Sequence, residues 1–99
     1  MRFSITRAAQ ADIDEVWVSM ATASGMDYAN RVRDSLFKTF LLLLRVPYAG
    51  RNREFDMSPG LRSIPSGKLV VFYRAELDYV RIVRVIHGSR DARAILSDE

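Results

Sequence analysis

The sequence predicts an α+β fold, in which an N-terminal strand and an antiparallel two-helix hairpin pack on a small, mainly antiparallel β-sheet in the order β-α-α-β-β-β. The first observation behind this prediction is an apolar repeat of helical spacing between about residues 7 and 45. The second is a change, after residue 60, to β-branched and aromatic residues in strand-like alternation. The third is the length, because 99 residues supply one hydrophobic core and predict a single domain over residues 1–99.

The chain begins with a short strand followed by a helix. Arg2 to Ile5 alternates polar and apolar residues, which is typical of a strand with one buried face. Thr6 is a suitable N-cap, and Ser24-Gly25 ends the helix that follows. Within that helix, apolar residues recur at i, i+3, i+4 and i+7, and acidic residues are assigned to the other face. The apolar positions are Ile13, Val16, Trp17 and Met20, and the acidic positions are Asp12, Asp14 and Glu15.

A second helix is predicted from Asp27, as its N-cap, to about Arg45, since Pro47 prevents it from continuing. Because only a short link containing Gly25 separates the two helices, we expect them to form an antiparallel hairpin. The apolar stripe of the second helix consists of Ala29, Val32, Leu36, Phe40 and Leu43.

The rest of the chain predicts three strands. Residues 48–60 are polar and rich in turn signals, and a strand follows from Leu61 to Ile64. After a tight connection at residues 65–67 come the strands Leu69 to Arg74 and Tyr79 to Ile86, which are rich in Val and Ile. In the first of these, Leu69, Val71 and Tyr73 face one way, and Val70 and Phe72 face the other.

Composition excludes several classes of protein. With 48% apolar and 27% charged residues, the chain is neither disordered nor collagen-like. It has no cysteine and one histidine, which excludes a disulfide framework and a multi-histidine metal site, and we expect neither a metal nor a cofactor. The longest apolar run is far shorter than the roughly 20 residues that span a bilayer. No targeting segment is visible, so we expect a cytoplasmic protein with no membrane partner.

Positive charge is concentrated in the second half of the chain. The formal net charge is +3, and 13 of the 15 basic residues are arginine. Between Arg45 and Arg93, ten basic and five acidic residues give a local charge of +5. A genome that favours arginine codons would explain this bias. A polyanionic or acidic protein partner is the alternative, because the planar guanidinium suits phosphate and carboxylate alike.

The second helix carries five successive apolar residues, from Phe40 to Leu44. A helix packed on one side alone does not need an apolar residue at every position. Either the helix end is sandwiched beneath the following loop, or the run includes an exposed patch that binds a partner. We favour the partner, because so small a domain has little material to cover both sides of the helix.

A few strand residues are candidates for chemistry. Arg62 and Arg84 interrupt apolar segments, and strand alternation can place them on one open sheet face. His87 lies between Arg84 and Arg90, and histidine is the residue type that most often serves as a general base, so it is a candidate general base beside phosphate-binding arginines. A structural histidine at a strand end is the more common case. The candidates for a partner acid or base of His87 are Tyr73, Glu54 and Asp91.

Several blocks of the sequence, taken together, resemble the ParE branch of the RelE/ParE toxin superfamily. They begin with Ala11-Asp12-Ile13 through Trp17 in the first helix, and with Pro47, Gly50-Arg51 and Arg53-Glu54 in the following loop. The blocks in the predicted sheet are Gly60 to Gly67, Val70-Val71-Phe72-Tyr73-Arg74, and Ile82 to Asp91 with its His-Gly-Ser-Arg-Asp end.

The resemblance implies a type II toxin–antitoxin toxin whose target is DNA gyrase, and no catalytic residue is then required. RelE-type relatives instead cleave messenger RNA on the ribosome, for which the corresponding residues here are His87, Arg62, Arg84 and Tyr73. The extra basic residues of that site, often lysines, are sparse in this chain, which argues against a ribonuclease. An inactive homologue that only binds antitoxin is a third possibility.

The resemblance also implies two protein partners and a hetero-oligomeric complex. We expect a ParD-like antitoxin to cover the exposed part of the apolar run on the second helix and part of the sheet. We expect gyrase to bind at and beyond the end of the last strand, where residues 90–96 form one helical turn or lie extended. The antitoxin-binding candidates are Phe40, Leu41, Leu42 and Leu44, and the target-binding candidates are Arg84, His87, Arg90 and Arg93.

Overall fold

The computed structural model describes residues 2–97, in which an N-terminal strand and two long helices precede the main part of a five-stranded sheet. No helix in this range is long and apolar enough to cross a membrane. The elements are β1 (Arg2–Ile5), α1 (Arg7–Ser24), α2 (Met26–Arg45), β2 (Arg51–Asn52), β3 (Leu61–Ser66), β4 (Leu69–Ala75), β5 (Tyr79–His87) and α3 (Ala92–Leu96).

The sheet has the strand order β1-β5-β4-β3-β2. β1 runs parallel to β5, with Phe3 opposite Val80 and Ile5 opposite Ile82, and every other pairing is antiparallel. The α1–α2 hairpin packs on one face, with α1 and α2 both contacting β5. The predicted α+β class and the predicted layout of strand, helical hairpin and mainly antiparallel sheet are confirmed.

The ends of the two long helices follow from Thr6 and Gly25. Thr6 caps α1 as predicted, since its hydroxyl accepts the Ala9 N–H at 3.0 Å and donates to the Val83 carbonyl at 2.7 Å. Gly25 adopts a φ of +92°, which reverses the chain within a single residue. The prediction that Asp27 is the N-cap of α2 is wrong, because α2 already begins at Met26. Asp27 lies in its first turn, where a negative charge complements the helix dipole.

The sheet contains two features that the sequence did not predict. A two-residue strand, β2, lies within the polar loop and pairs with Arg62 and Ser63 of β3. β3 also continues through Pro65 to Ser66, where a tight connection was predicted. Because β2 is so short, the end of β3 is a sheet edge, and a proline is tolerated there since no neighbouring strand needs its N–H.

The two faces of the sheet carry separate apolar clusters, and the alternation predicted for β4 is confirmed. We call the side covered by α1 and α2 the helix face, and the opposite side, which carries α3, the far face. The helix-face cluster includes Val71, Tyr73, Val80 and Ile82 together with Ile13, Leu36, Phe40 and Leu43 of the helices. The far-face cluster contains Leu61, Phe72, Val83, Ile86 and Leu96.

Candidate functional site

A groove with an apolar floor and a basic rim lies on the far face. Its floor is formed by Val70, Phe72 and Ile86, and its rim by the turn after β5 and the start of α3. Three arginines and one aspartate line it, which gives a net charge of +2 when the histidine is neutral. The remaining lining residues, besides the floor, are Arg53, His87, Gly88, Arg90, Asp91, Ala92 and Arg93.

The His87 ring is held by the turn that follows β5. Its Nδ1 accepts the backbone N–H of Ser89 at 3.1 Å and lies 2.8 Å from the Ser89 hydroxyl. The His87 carbonyl accepts the N–H of Arg90 at 3.0 Å, which closes the turn. Because Nδ1 is an acceptor, the proton of the neutral ring resides on Nε2, so Nε2 can donate but has no lone pair for a base. The turn thus makes His87 a hydrogen-bond donor rather than a general base.

Arg90 and Arg93 are exposed at the groove rim. Within residues 2–97, the Arg90 side chain has no hydrogen-bond or ion-pair partner. Arg93 lies 3.7 Å from Asp56, which is too long for a hydrogen bond, and its side chain is 68% exposed. Asp91 is engaged as the N-cap of α3, where its carboxylate accepts the Ala94 N–H. Both guanidinium groups are therefore available to an anionic ligand.

Arg53, on the opposite wall of the groove, was not predicted as a site residue. Its guanidinium makes three hydrogen bonds of 2.7–3.1 Å to the Asp56 carboxylate and donates to the Ser63 hydroxyl at 3.0 Å. It also lies 5.7 Å from the centre of the Phe72 ring. These bonds hold the pKa of the Asp56 carboxyl below its ordinary value of 3.8. A sequence signal existed in the Arg53-x-x-Asp56 spacing, but the loop conformation that joins the two residues was not predictable.

Arg84 does not belong to the groove, although it was predicted to lie with the target-binding residues. Its guanidinium forms a two-pronged ion pair with Asp12 of α1, at 2.7 and 2.8 Å, on the helix face. A register shift between β4 and β5 places both Val83 and Arg84 against Phe72, as in a β-bulge. This irregularity allows Val83 to pack on the far face while Arg84 reaches the helix.

Asp12 was assigned to the solvent face of α1, and that assignment is wrong. It is only 7% exposed, because besides Arg84 it accepts the backbone N–H of Val85 at 2.9 Å. A buried carboxylate requires such partners. The Asp12–Arg84 pair therefore fastens α1 to β5.

Arg62 and Tyr73 are directly opposite each other on β3 and β4, away from the groove. The Tyr73 phenol is fully buried; it accepts the Gly50 N–H at 2.8 Å and donates to the Pro47 carbonyl at 2.8 Å. Burial raises the pKa of this phenol above its ordinary value of 10.0. Arg62 donates to the Gly50 carbonyl at 2.9 Å and lies 4.8 Å from the Tyr48 ring centre. Both residues shape the loop after α2.

The residues considered for ribonuclease chemistry do not converge. His87 is opposite Leu69 on β4, four strand positions from Tyr73, which corresponds to roughly 13 Å. Glu54 is exposed in the β2–β3 loop, and Asp91 is engaged as a helix cap. Among residues 2–97, no group of three or more His, Asp or Glu side chains could hold a metal ion.

The apolar run on α2 divides between the core and the surface. Phe40 and Leu43 are completely buried, Leu44 is half-buried against the helix-face cluster, and Leu41 and Leu42 are 54% and 46% exposed. The assignment of Phe40 to a partner surface is therefore wrong, since its ring packs against Phe3 and Phe37 at centroid distances of 5.5 and 5.1 Å. The exposed patch is narrower than the five-residue run suggested.

The family match and the similar proteins each cover most of the sequence. The family model described as "ParE toxin of type II toxin-antitoxin system, parDE" matches residues 3–92. The chain is 34% identical to Toxin ParE1 of Caulobacter vibrioides over 94 residues, which cover 95% of this chain and 96% of that protein. It is 30% identical to Toxin ParE3 of the same organism over 91 residues, covering 92% and 90%. Toxin ParE1 of Mycobacterium tuberculosis is 29% identical over 91 residues, covering 91% and 92%.

A solved structure shares the fold. The chain superposes on a structure titled "Chromosomal ParDE TA system from P. aeruginosa" with a TM-score of 0.75, covering 88% of this chain and 95% of that one. The sequence identity is 21%, so this likeness concerns the fold alone.

Proposed function

Because this chain belongs to the family of ParE toxins of type II toxin–antitoxin systems, we propose that it inhibits DNA gyrase and that a cognate ParD-like antitoxin neutralises it in the cytoplasm. The observation that carries the proposal is the match to this family over residues 3–92, nearly the whole length of the chain. The basic far-face groove supports it with a surface suited to an acidic partner.

We favour a protein inhibitor over a ribonuclease because residues 2–97 do not bring the candidate catalytic groups together. Tyr73 is fully buried and Arg84 is committed to Asp12, so neither is free to contact a phosphodiester. The Nδ1 of His87 is occupied by Ser89, which leaves its Nε2 protonated. A general base must present a lone pair to the proton that it removes, and this ring does not.

We assign target binding to His87, Arg90 and Arg93 at the groove rim. Arg84, the fourth residue expected there, contributes to stability instead. Arg90 lies in the turn before α3 and Arg93 in the first turn of that helix, and both are exposed. Guanidinium groups so placed can bind carboxylates in pairs of hydrogen bonds.

We assign antitoxin binding to the exposed side of the C-terminal half of α2, around Leu41 and Leu42. Large apolar side chains exposed side by side on a helix favour the apolar face of a partner segment. Leu44 contributes its exposed portion, and Phe40 is excluded by its burial. We propose that toxin and antitoxin form a hetero-oligomer through this surface.

Two assays with the purified chain test the proposed function. We expect it to inhibit supercoiling by purified gyrase, and added antitoxin to restore supercoiling. In a translation extract we expect no cleavage of messenger RNA. Cleavage without gyrase inhibition would replace the proposal by a RelE-type ribonuclease, and antitoxin binding with neither activity would indicate an inactive homologue.

A further inference from the structure

We infer that the far-face groove binds an acidic, extended segment of the protein target, with carboxylates on Arg90 and Arg93 and an apolar side chain on the floor. This inference rests on the proposed function, since it names the chemistry of the segment that the toxin recognises. It goes further by specifying a peptide as the ligand and by assigning separate roles to the groove residues.

The three arginines around the groove have different roles, because one is already paired within the fold and two are available to a ligand. Arg53 already satisfies the Asp56 carboxylate and donates to Ser63, so it orders the wall instead of binding a ligand. Arg93 is 3.7 Å from the same carboxylate, and an exposed ion pair of this length contributes little stabilisation. Arg90 and Arg93 are therefore the two cations that an incoming carboxylate can bind bidentately.

His87 adds directional recognition to the rim. The Ser89 N–H fixes the tautomer by donating to Nδ1, so Nε2 carries the proton and can donate one hydrogen bond. A carboxylate or a peptide carbonyl is the natural acceptor. This role does not require His87 to change its protonation state.

The floor of the groove favours a peptide over a nucleic acid. Proteins that bind single strands stack bases on exposed aromatic rings. The aromatic ring of this floor, Phe72, is only 2% exposed and is covered by the Arg53 guanidinium at 5.7 Å. The partly exposed Val70 instead offers an aliphatic contact for an apolar side chain of the ligand.

Nuclear magnetic resonance with the isotope-labelled full chain tests the inference. The probes are a blocked tripeptide containing glutamate, leucine and aspartate, its uncharged counterpart containing glutamine, leucine and asparagine, and a single-stranded oligonucleotide. We expect the acidic peptide to shift the amide signals of Gly88, Arg90 and Arg93 in a saturable manner. The uncharged peptide should bind about 5–10-fold more weakly, which corresponds to two rim ion pairs.

A matched pair of variants serves as the control. Arg90→Gln with Arg93→Gln should weaken binding of the acidic peptide by the same factor. Arg31→Gln with Lys68→Gln also removes two exposed charges, but these side chains line a separate cavity against the helices, so peptide binding should be unchanged. Equal binding of both peptides, shifts confined to other residues, or tighter binding of the oligonucleotide at the groove would each overturn the inference.

A parallel supercoiling assay separates this inference from the proposed function. If the chain inhibits gyrase but the acidic peptide does not bind the groove, the groove inference fails and the function stands. If the peptide binds as expected but gyrase is not inhibited, the groove stands and the target is a different protein.

Discussion

Removing the Asp12 carboxylate should destabilise the fold more than any other exchange of a single acidic side chain on α1. In the structure this carboxylate accepts two hydrogen bonds from Arg84, at 2.7 and 2.8 Å, and one from the Val85 N–H, at 2.9 Å. Asp12→Ala would leave both donors on the helix face without this acceptor. The exchange therefore tests whether the ion pair fastens α1 to β5.

The magnitude follows from the burial of the two partners. Breaking a buried ion pair by removing one partner costs about 3–5 kcal/mol. The Arg84 side chain is 21% exposed, so water partly solvates the guanidinium when Asp12 is removed, and we expect the lower end of that range, about 3 kcal/mol. For a domain of this size, each kcal/mol lowers Tm by about 4–8 °C, so the expected loss exceeds roughly 10 °C. Asp12→Asn keeps one side-chain oxygen as a hydrogen-bond acceptor, so it should lower the free energy of unfolding by less.

Urea denaturation and thermal melting followed by circular dichroism measure the effect. Asp14→Ala is the matched control, because Asp14 is exposed and its carboxylate accepts, within residues 2–97, a hydrogen bond from Gln10 alone, at 3.1 Å. That control should change the free energy of unfolding by no more than about 0.5 kcal/mol. In a double-mutant cycle, Asp12→Ala and Arg84→Ala should show strong coupling. Equal stability of the Asp12→Ala and Asp14→Ala variants would refute the role assigned to the pair.

Three further predictions follow from the same structure. His87→Ala should weaken gyrase inhibition by less than about tenfold, the worth of one neutral hydrogen bond, whereas a ribonuclease would lose about 10²–10⁴ in rate; a loss in the second range would contradict the inhibitor mechanism. Leu41→Glu with Leu42→Glu should leave Tm nearly unchanged and abolish copurification with the antitoxin, and undiminished copurification would move the antitoxin surface elsewhere. The pKa of Tyr73 is raised in the folded state. The protonated phenol should therefore contribute fully to the free energy of unfolding below pH 10, and this contribution should be lost as the pH rises through the folded-state pKa. Tyrosinate absorbance and urea denaturation of wild type and Tyr73→Phe check this, and identical alkaline stability profiles would contradict it.

The layout of the fold was predictable because it depends on local patterns. The Thr6 cap, the turn at Gly25 and the alternation of β4 each follow from residues close together in sequence. β2 was missed because a two-residue strand has no periodicity of its own. It exists only through its pairing with Arg62 and Ser63.

The roles of the arginines were less predictable, since each depends on a partner distant in sequence. Arg84 and Asp12 are 72 residues apart, and the bulge that brings them together leaves no mark in the hydrophobic pattern. Gly50 is similar: a Cβ at this position would lie 2.5 Å from the Tyr73 hydroxyl, a constraint that exists only in the folded chain. By contrast, His87, Arg90 and Arg93 are close in sequence, and the structure brings these predicted residues into one groove.

The central claim is that the toxin binds gyrase through the rim of the far-face groove, and a supercoiling titration tests it most directly. Purified gyrase would be titrated with the wild-type chain, with the Arg90→Gln, Arg93→Gln variant and with the Arg31→Gln, Lys68→Gln control, after their melting temperatures are shown to agree. We predict equal inhibition by the wild type and the control, and inhibition about tenfold weaker by the groove variant. Full inhibition by the groove variant, or no inhibition by the wild type, would contradict the claim.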